Sequence, residues 1–126
     1  MSRTVKTPGP DHPIDIRRAG RAILAVCAGR IVARSDDALI MSEARHPDVI
    51  YFPRGDVDML ALDGSATSSW CPYKGEASYF SLRADDTRDG VAIADIAWSY
   101  ESPLTAMSEI AGHLAFYTNK VTVEDA

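Results

Sequence analysis

Apolar residues along this chain come in short runs, divided by clusters of glycine, proline, aspartate, asparagine and serine. Runs of that length, several with period-two alternation, predict strands joined by turns. Ile14-Asp15-Ile16 predicts a short edge strand. The run AILAVC at 22–27 is apolar on both alternating faces, as a strand covered on both sides would be. Ala28-Gly29 breaks it and IVA resumes, a hairpin pattern, and Ser35-Asp36-Asp37 turns the chain into a third strand at 38–41. A polar turn at 45–48 precedes Val49-Ile50-Tyr51-Phe52, which Pro53 ends because it cannot donate to a ladder. Residues 54–58 read as charged and irregular, 59–62 as a short strand and 63–65 as a turn.

The segments 66–70 and 76–82 flank Cys71-Pro72-Tyr73-Lys74-Gly75. Proline presets one turn position and glycine takes positive φ at little steric cost, so a hairpin with Gly75 at positive φ is predicted. A charged loop follows at 83–90. Val91 to Tyr100 alternates, with Ala92, Ala94, Ile96, Trp98 and Tyr100 on one face and Val91, Ile93, Asp95 and Ala97 on the other. Ser102-Pro103 predicts a helix start, Leu104, Met107, Ile110 and Ala111 recur at helical spacing, and Gly112 ends the segment. His113–Thr118 predicts a last strong strand, and 121–123 a final pairing. Residues 1–13 hold three of the seven prolines and no periodicity, and read as an extended or disordered lead-in. The expected architecture is one mainly β domain over 14–126: short antiparallel strands in a two-sheet or barrel arrangement, with one short helix inside 102–112.

Composition narrows the function. The 126 residues fit one domain, and 46% hydrophobic with 25% charged residues is ordinary for a folded chain. A net charge of −5 disfavours duplex nucleic acid held through its phosphates. Two cysteines do not make a disulfide scaffold, no apolar leader opens the chain, and no stretch has the length of a membrane helix, so a reducing cytoplasm is expected. Zinc needs clustered ligands, and Cys27, Cys71, His12, His46 and His113 are scattered, so neither a metal nor another cofactor is expected. No phosphate-binding loop, dinucleotide fingerprint or nucleophile elbow occurs. Asp56 and Asp58 form an alternate carboxylate pair, but in a segment that reads as a solvated loop.

The candidate chemistry concentrates at 70–82. Cys71 is a potential nucleophile if Lys74 favours its thiolate, or else a small buried hydrophobe beside Trp70. Lys74, next to Glu76, either binds an anion or forms an exposed pair. Tyr51, Trp70, Tyr73, Tyr79, Trp98 and Tyr100 either line a pocket or belong to the core. His113 can bond the last carbonyls of the expected helix, and Cys27 reads as core.

The stretches YFPRGDV at 51–57, WCPYKGEASYFSL at 70–82, DIAWSYESPL at 95–104 and IAGHLAFYTNKV at 110–121 resemble, in order, the bacterial family called domain of unknown function 427. The resemblance implies a compact β-rich domain of the β-tent group, in which two antiparallel sheets lean together at one end. Zinc-bearing relatives of that fold use paired cysteines, which are missing here. The family is sometimes labelled nucleotidyltransferase, which implies a glycine-serine pair followed by two metal-binding carboxylates. Here Gly64-Ser65 follows Asp56 and Asp58, and no Asp-x-Asp comes after it at short range. This chain also has Gly55 where the family often has an acidic residue, and His113 where an aromatic often stands. The expected function is binding of a small anionic or aromatic molecule near the CPYKG turn, with Tyr51, Trp70, Tyr73, Lys74, Glu76, Tyr79, Trp98 and Tyr100 as ligand contacts. The alternatives are an interaction module without a ligand and a metal-independent enzyme using Cys71 and Lys74.

Overall fold

The computed structural model describes residues 3–126. Its strands form three small antiparallel sheets. The first runs β1 (Ile14–Arg18), β4 (Leu39–Glu43), β5 (Val49–Tyr51), and the second β10 (Thr122–Asp125), β2 (Ile23–Cys27), β3 (Arg30–Ser35). The third runs β6 (Leu62–Cys71), β7 (Gly75–Leu82), β8 (Ile93–Ser99), β9 (Leu114–Phe116). The mainly β expectation holds, but the strands close no barrel and divide among three sheets rather than two. The first and third sheets meet where Phe52 and Leu114 exchange backbone bonds of 2.7 and 2.9 Å.

Two apolar clusters fill the interior. One is mainly aliphatic, built from Ile23, Val32, Leu82, Ile96, Leu114 and Val121, with Phe52 and Phe116 edge-on at 5.5 Å. The other holds Met41, Tyr51, Ala77, Tyr100, Met107 and Ile110, with Tyr79, Trp98 and Cys71 against it. β7 serves both, giving Ala77 and Tyr79 to the second cluster and, from its opposite face, Phe80 and Leu82 to the first.

Four local expectations are corrected. Residues 59–62 are not a strand: Met59–Ala61 is a 3₁₀ turn. Residues 63–65 do not reverse the chain but lie inside β6, where pairing with β7 slips between Gly64 and Ser68 and the Ser65 hydroxyl accepts from Thr67 N–H. Turn-forming residues there make a bulge, the other use of such chemistry in a strand. The short helix expected inside 102–112 is present, but its type and its cap differ. Thr105–Ile110 is 3₁₀, kinked at Met107, with Leu104 rather than Ser102 at its cap and no capping side-chain bond. A three-residue repeat suits it, because Met107 and Ile110 stand one 3₁₀ turn apart and both are buried. The alternation of β8 also breaks. Asp95 takes φ +48 and its N–H donates to the Ser81 hydroxyl, so Ile96 and Ala97 both enter the aliphatic cluster while Trp98 and Tyr100 enter the other.

The described part of the lead-in has no regular structure over 3–8, turns at 9–12 where Gly9 and His12 exchange backbone bonds, and is attached to the domain. Lys6 N–H donates to the Pro72 carbonyl at 2.8 Å, and the Trp70 indole N–H donates to the Thr4 carbonyl at 2.8 Å. Arg3 bonds Glu76 at 2.7 Å, with its guanidinium 4.5 Å from the Trp70 ring centre. These contacts fall on the CPYKG turn and the residues flanking it.

Candidate functional site

The hairpin at 71–75 closes as its residue types require. Cys71 pairs with Gly75, Lys74 N–H donates to the Cys71 carbonyl at 3.2 Å, and Gly75 has φ +110. A Cβ at Gly75 would lie 3.4 Å from the Leu104 nitrogen, so the chain after β8 packs directly on the turn. Leu104 N–H donates to the Lys74 carbonyl at 2.9 Å and fastens the two together.

The turn borders a cleft of about 680 Å³. Lys74 enters it almost fully buried, with 7% of its surface exposed. Its ammonium donates to Glu43 Oε1 at 2.5 Å and lies 3.6 Å from Cys71 Sγ. Glu43 Oε2 is 2.7 Å from His12 Nε2, and the His12 ring stacks on Tyr73 with centres 4.0 Å apart. Burial by itself would raise the Glu43 pKa. The bonds and charges of Lys74 and His12 outweigh it and hold the carboxyl below its ordinary value. The expectation of an exposed Lys74 beside Glu76 is therefore corrected. Glu76 lies on the other face of β7 from Ala77 and Tyr79, pairs with Arg3 and does not line the cleft.

All five tyrosines and both tryptophans of the chain line this cleft. Tyr51 and Tyr100 are buried, while Trp70, Tyr73, Tyr79, Trp98 and Tyr117 are half-buried. Tyr51 stands edge-on to Trp98 at 6.4 Å, Trp98 contacts Tyr117 at 4.6 Å, and Tyr79 lies nearly parallel to Tyr117 at 6.3 Å. Burial pushes the Tyr51 and Tyr100 hydroxyls well above their ordinary range, and pushes Tyr117 up to about 12 with help from Tyr79 and Asp95. Cys71 is half-buried at the cleft wall. The structure thus brings Tyr51, Trp70, Cys71, Tyr73, Lys74, Tyr79, Trp98 and Tyr100 to one place, and leaves Glu76 outside it.

Residues with no place in the sequence-based set also line the cleft: His12, Met41, Glu43, His46 and Tyr117. Glu43 carries a usable signal, since Leu39, Met41 and Glu43 alternate along one strand and share a face. Tyr117 lies just past the end of β9, one residue beyond Phe116 in a run that reads as core. His12 sits in a segment without periodicity, and nothing local marks it. The remaining candidates lie elsewhere. Cys27 is buried, which raises its thiol pKa, and its sulfur lies 3.5 Å from the Lys120 carbonyl. His113 Nδ1 is 3.2 Å from the Ala111 carbonyl, at the end of the 3₁₀ segment. Asp56 accepts from Ser35 at 2.6 Å and Asp58 from Arg30 at 2.5 Å, so the two carboxylates are committed to different partners. Among the described residues, no three of His, Cys, Asp and Glu converge as metal ligands, and no helix is long and apolar enough to cross a membrane.

No curated protein matches the chain. A family model matches residues 15–126, from β1 through β10 and including the CPYKG turn and nearly the whole cleft wall, with His12 just outside it. The chain belongs to the family described as Domain of unknown function (DUF427).

Proposed function

We propose that this protein binds a small molecule with a flat or apolar body in the cleft beside the CPYKG turn. One observation carries the reading: every tyrosine and tryptophan of the chain lines that one cleft. A cleft of this size, lined by aromatic and aliphatic side chains with a few placed polar groups, has the character of a small-molecule site. The groups at its polar end are Glu43, Lys74 and His12, already ordered by one another, so a ligand's polar end meets fixed partners. The anionic variant of this reading loses ground. It needs the Lys74 charge, and Glu43 holds that charge at 2.5 Å. We place the protein in the cytoplasm, a reducing compartment with which two free thiols agree.

The test is a thermal-shift screen across nucleotides, sugars, amino acids, aromatic acids and amines, since a ligand of the native state raises the apparent Tm. A hit should bind by calorimetry and lose affinity in Trp98→Ala. No shift with any class, or hits indifferent to Trp98, would sink the reading.

A second reading has its own observation. Cys71 Sγ lies 3.6 Å from the Lys74 ammonium at the cleft wall. An enzyme of this kind would use Cys71 as nucleophile and Lys74, oriented by Glu43, as its electrostatic partner. Cys71→Ser separates the two readings, because a nucleophile's loss abolishes turnover of a bound ligand while leaving binding intact.

A further inference from the structure

The charge of the ligand can be argued from what surrounds the cleft, an inference that rests on the binding reading above. Tyrosine and tryptophan present electron-rich faces, the rings that attract cations best. Tyr79, Trp98 and Tyr117 form a connected array and are only half-buried, so ring surface remains open to the cleft. Two rings at its edge already carry cations of the chain. Arg3 lies 4.5 Å from the Trp70 centroid and Lys120 5.8 Å from that of Tyr117. Tyr73 is covered by His12. Among the described residues, no cation of the chain lies over the half-buried rings of Tyr79 and Trp98.

The ionised groups of the lining are already partnered, which leaves the rings as its open recognition surface. Lys74 and His12 bond Glu43, and Arg17, outside the lining, bonds Asp48 at 3.3 Å. Among the described residues no arginine lines the cleft.

We infer that the cleft takes an organic cation, an alkylated ammonium whose charge rests on the faces of Trp98 and Tyr79. Alkylation suits it, because a methylated ammonium is poorly hydrated and leaves water for an apolar wall more readily than a bare amine does. Its remaining polar group would meet the Glu43–Lys74–His12 cluster.

The experiment uses three probes of one shape with different charge: choline, the neutral 3,3-dimethylbutan-1-ol, and 3,3-dimethylbutyrate. Each is titrated calorimetrically into the full chain. Choline should bind at least about five-fold tighter than the neutral alcohol, which corresponds to a cation–π term of about 1 kcal/mol, and the carboxylate should bind weakest. Trp98→Leu keeps an apolar side chain but removes the ring, and should erase the preference for choline. Tyr79→Leu, at a half-exposed position, does the same job if Trp98→Leu fails to fold. Equal or tighter binding of the alcohol or carboxylate would overturn the cation inference and leave the binding reading intact. So would silence from all three probes while an uncharged aromatic fragment binds. Silence from every probe and fragment would overturn both.

Discussion

The two apolar clusters are built from different residues. The aliphatic one contains Phe52 and Phe116 and no tyrosine or tryptophan, and its members are almost wholly shielded. The other contains Tyr51 and Tyr100, with Tyr79 and Trp98 against it, and opens into the cleft. Phenylalanine has no polar atom and can be enclosed without a partner. Tyrosine and tryptophan carry an O–H or N–H that needs one, and so are best placed where apolar interior meets solvent or ligand. The difference separates what holds the fold from what is arranged to be met, and β7 contributes to both through its two faces.

The largest effect should come from the closed side. Phe52→Ala should cost about 3–5 kcal/mol in denaturant unfolding, because a fully enclosed ring leaves a cavity. Tyr79→Ala, half-buried at the cleft, should cost clearly less. Equal losses would erase the distinction between the clusters.

Next comes the cluster at the cleft's polar end. Glu43→Ala leaves Lys74 buried without its carboxylate and should cost about 3 kcal/mol, the low end for breaking a buried pair. The same pair predicts a pH dependence. Glu43 has an ordinary pKa of 4.5 and a lower one when folded. Its contribution is therefore complete above 4.5 and is lost as pH falls through the folded value. Melting curves between pH 3 and pH 7 should steepen below about 4.5 in the wild type and flatten there in Glu43→Gln. Identical acid profiles would show that the pair contributes no stability.

Gly75→Ala should cost about 1 kcal/mol or more, since φ +110 strains any Cβ and Leu104 stands 3.4 Å away. A neutral result would contradict the turn geometry on which the placement of Lys74 depends. The smallest effect belongs to the lead-in. Arg3→Ala removes a half-exposed pair and should change stability by no more than about 0.5 kcal/mol. A larger loss would mean that the lead-in supports the cleft as strongly as β4 does.

Local chemistry was legible wherever one segment's own residues decide its backbone. Ala28-Gly29 turned β2 into β3, Pro53 ended the run after β5, and Cys71–Gly75 gave a hairpin with its glycine at positive φ. Strand alternation also put Trp98 and Tyr100 together correctly. It failed at Asp95, where one residue at positive φ shifts the register, and the turn expected at 63–65 proved a bulge instead of a reversal. Period-two patterning assumes an unbroken pleat, and a bulge is set by the partner strand.

The sequence by itself determined that this is a mainly β member of its family, with a rigid thiol- and amine-bearing turn between two antiparallel strands. Those features depend on neighbours along the chain: turn residues at fixed spacing, and side chains that alternate because the backbone does. Only the tertiary structure decided what Lys74 is. Next to Glu76 in sequence it reads as an exposed cation free for an anion, yet its partner is Glu43, thirty-one residues away, with His12 behind that. The gathering of all five tyrosines and both tryptophans around one cleft was likewise invisible along the chain. Those side chains come from four different strands and the turns beside them. Which rings face one another is fixed by how the sheets pack, and electrostatic partners across a low-dielectric interior are chosen by distance in space rather than separation in sequence.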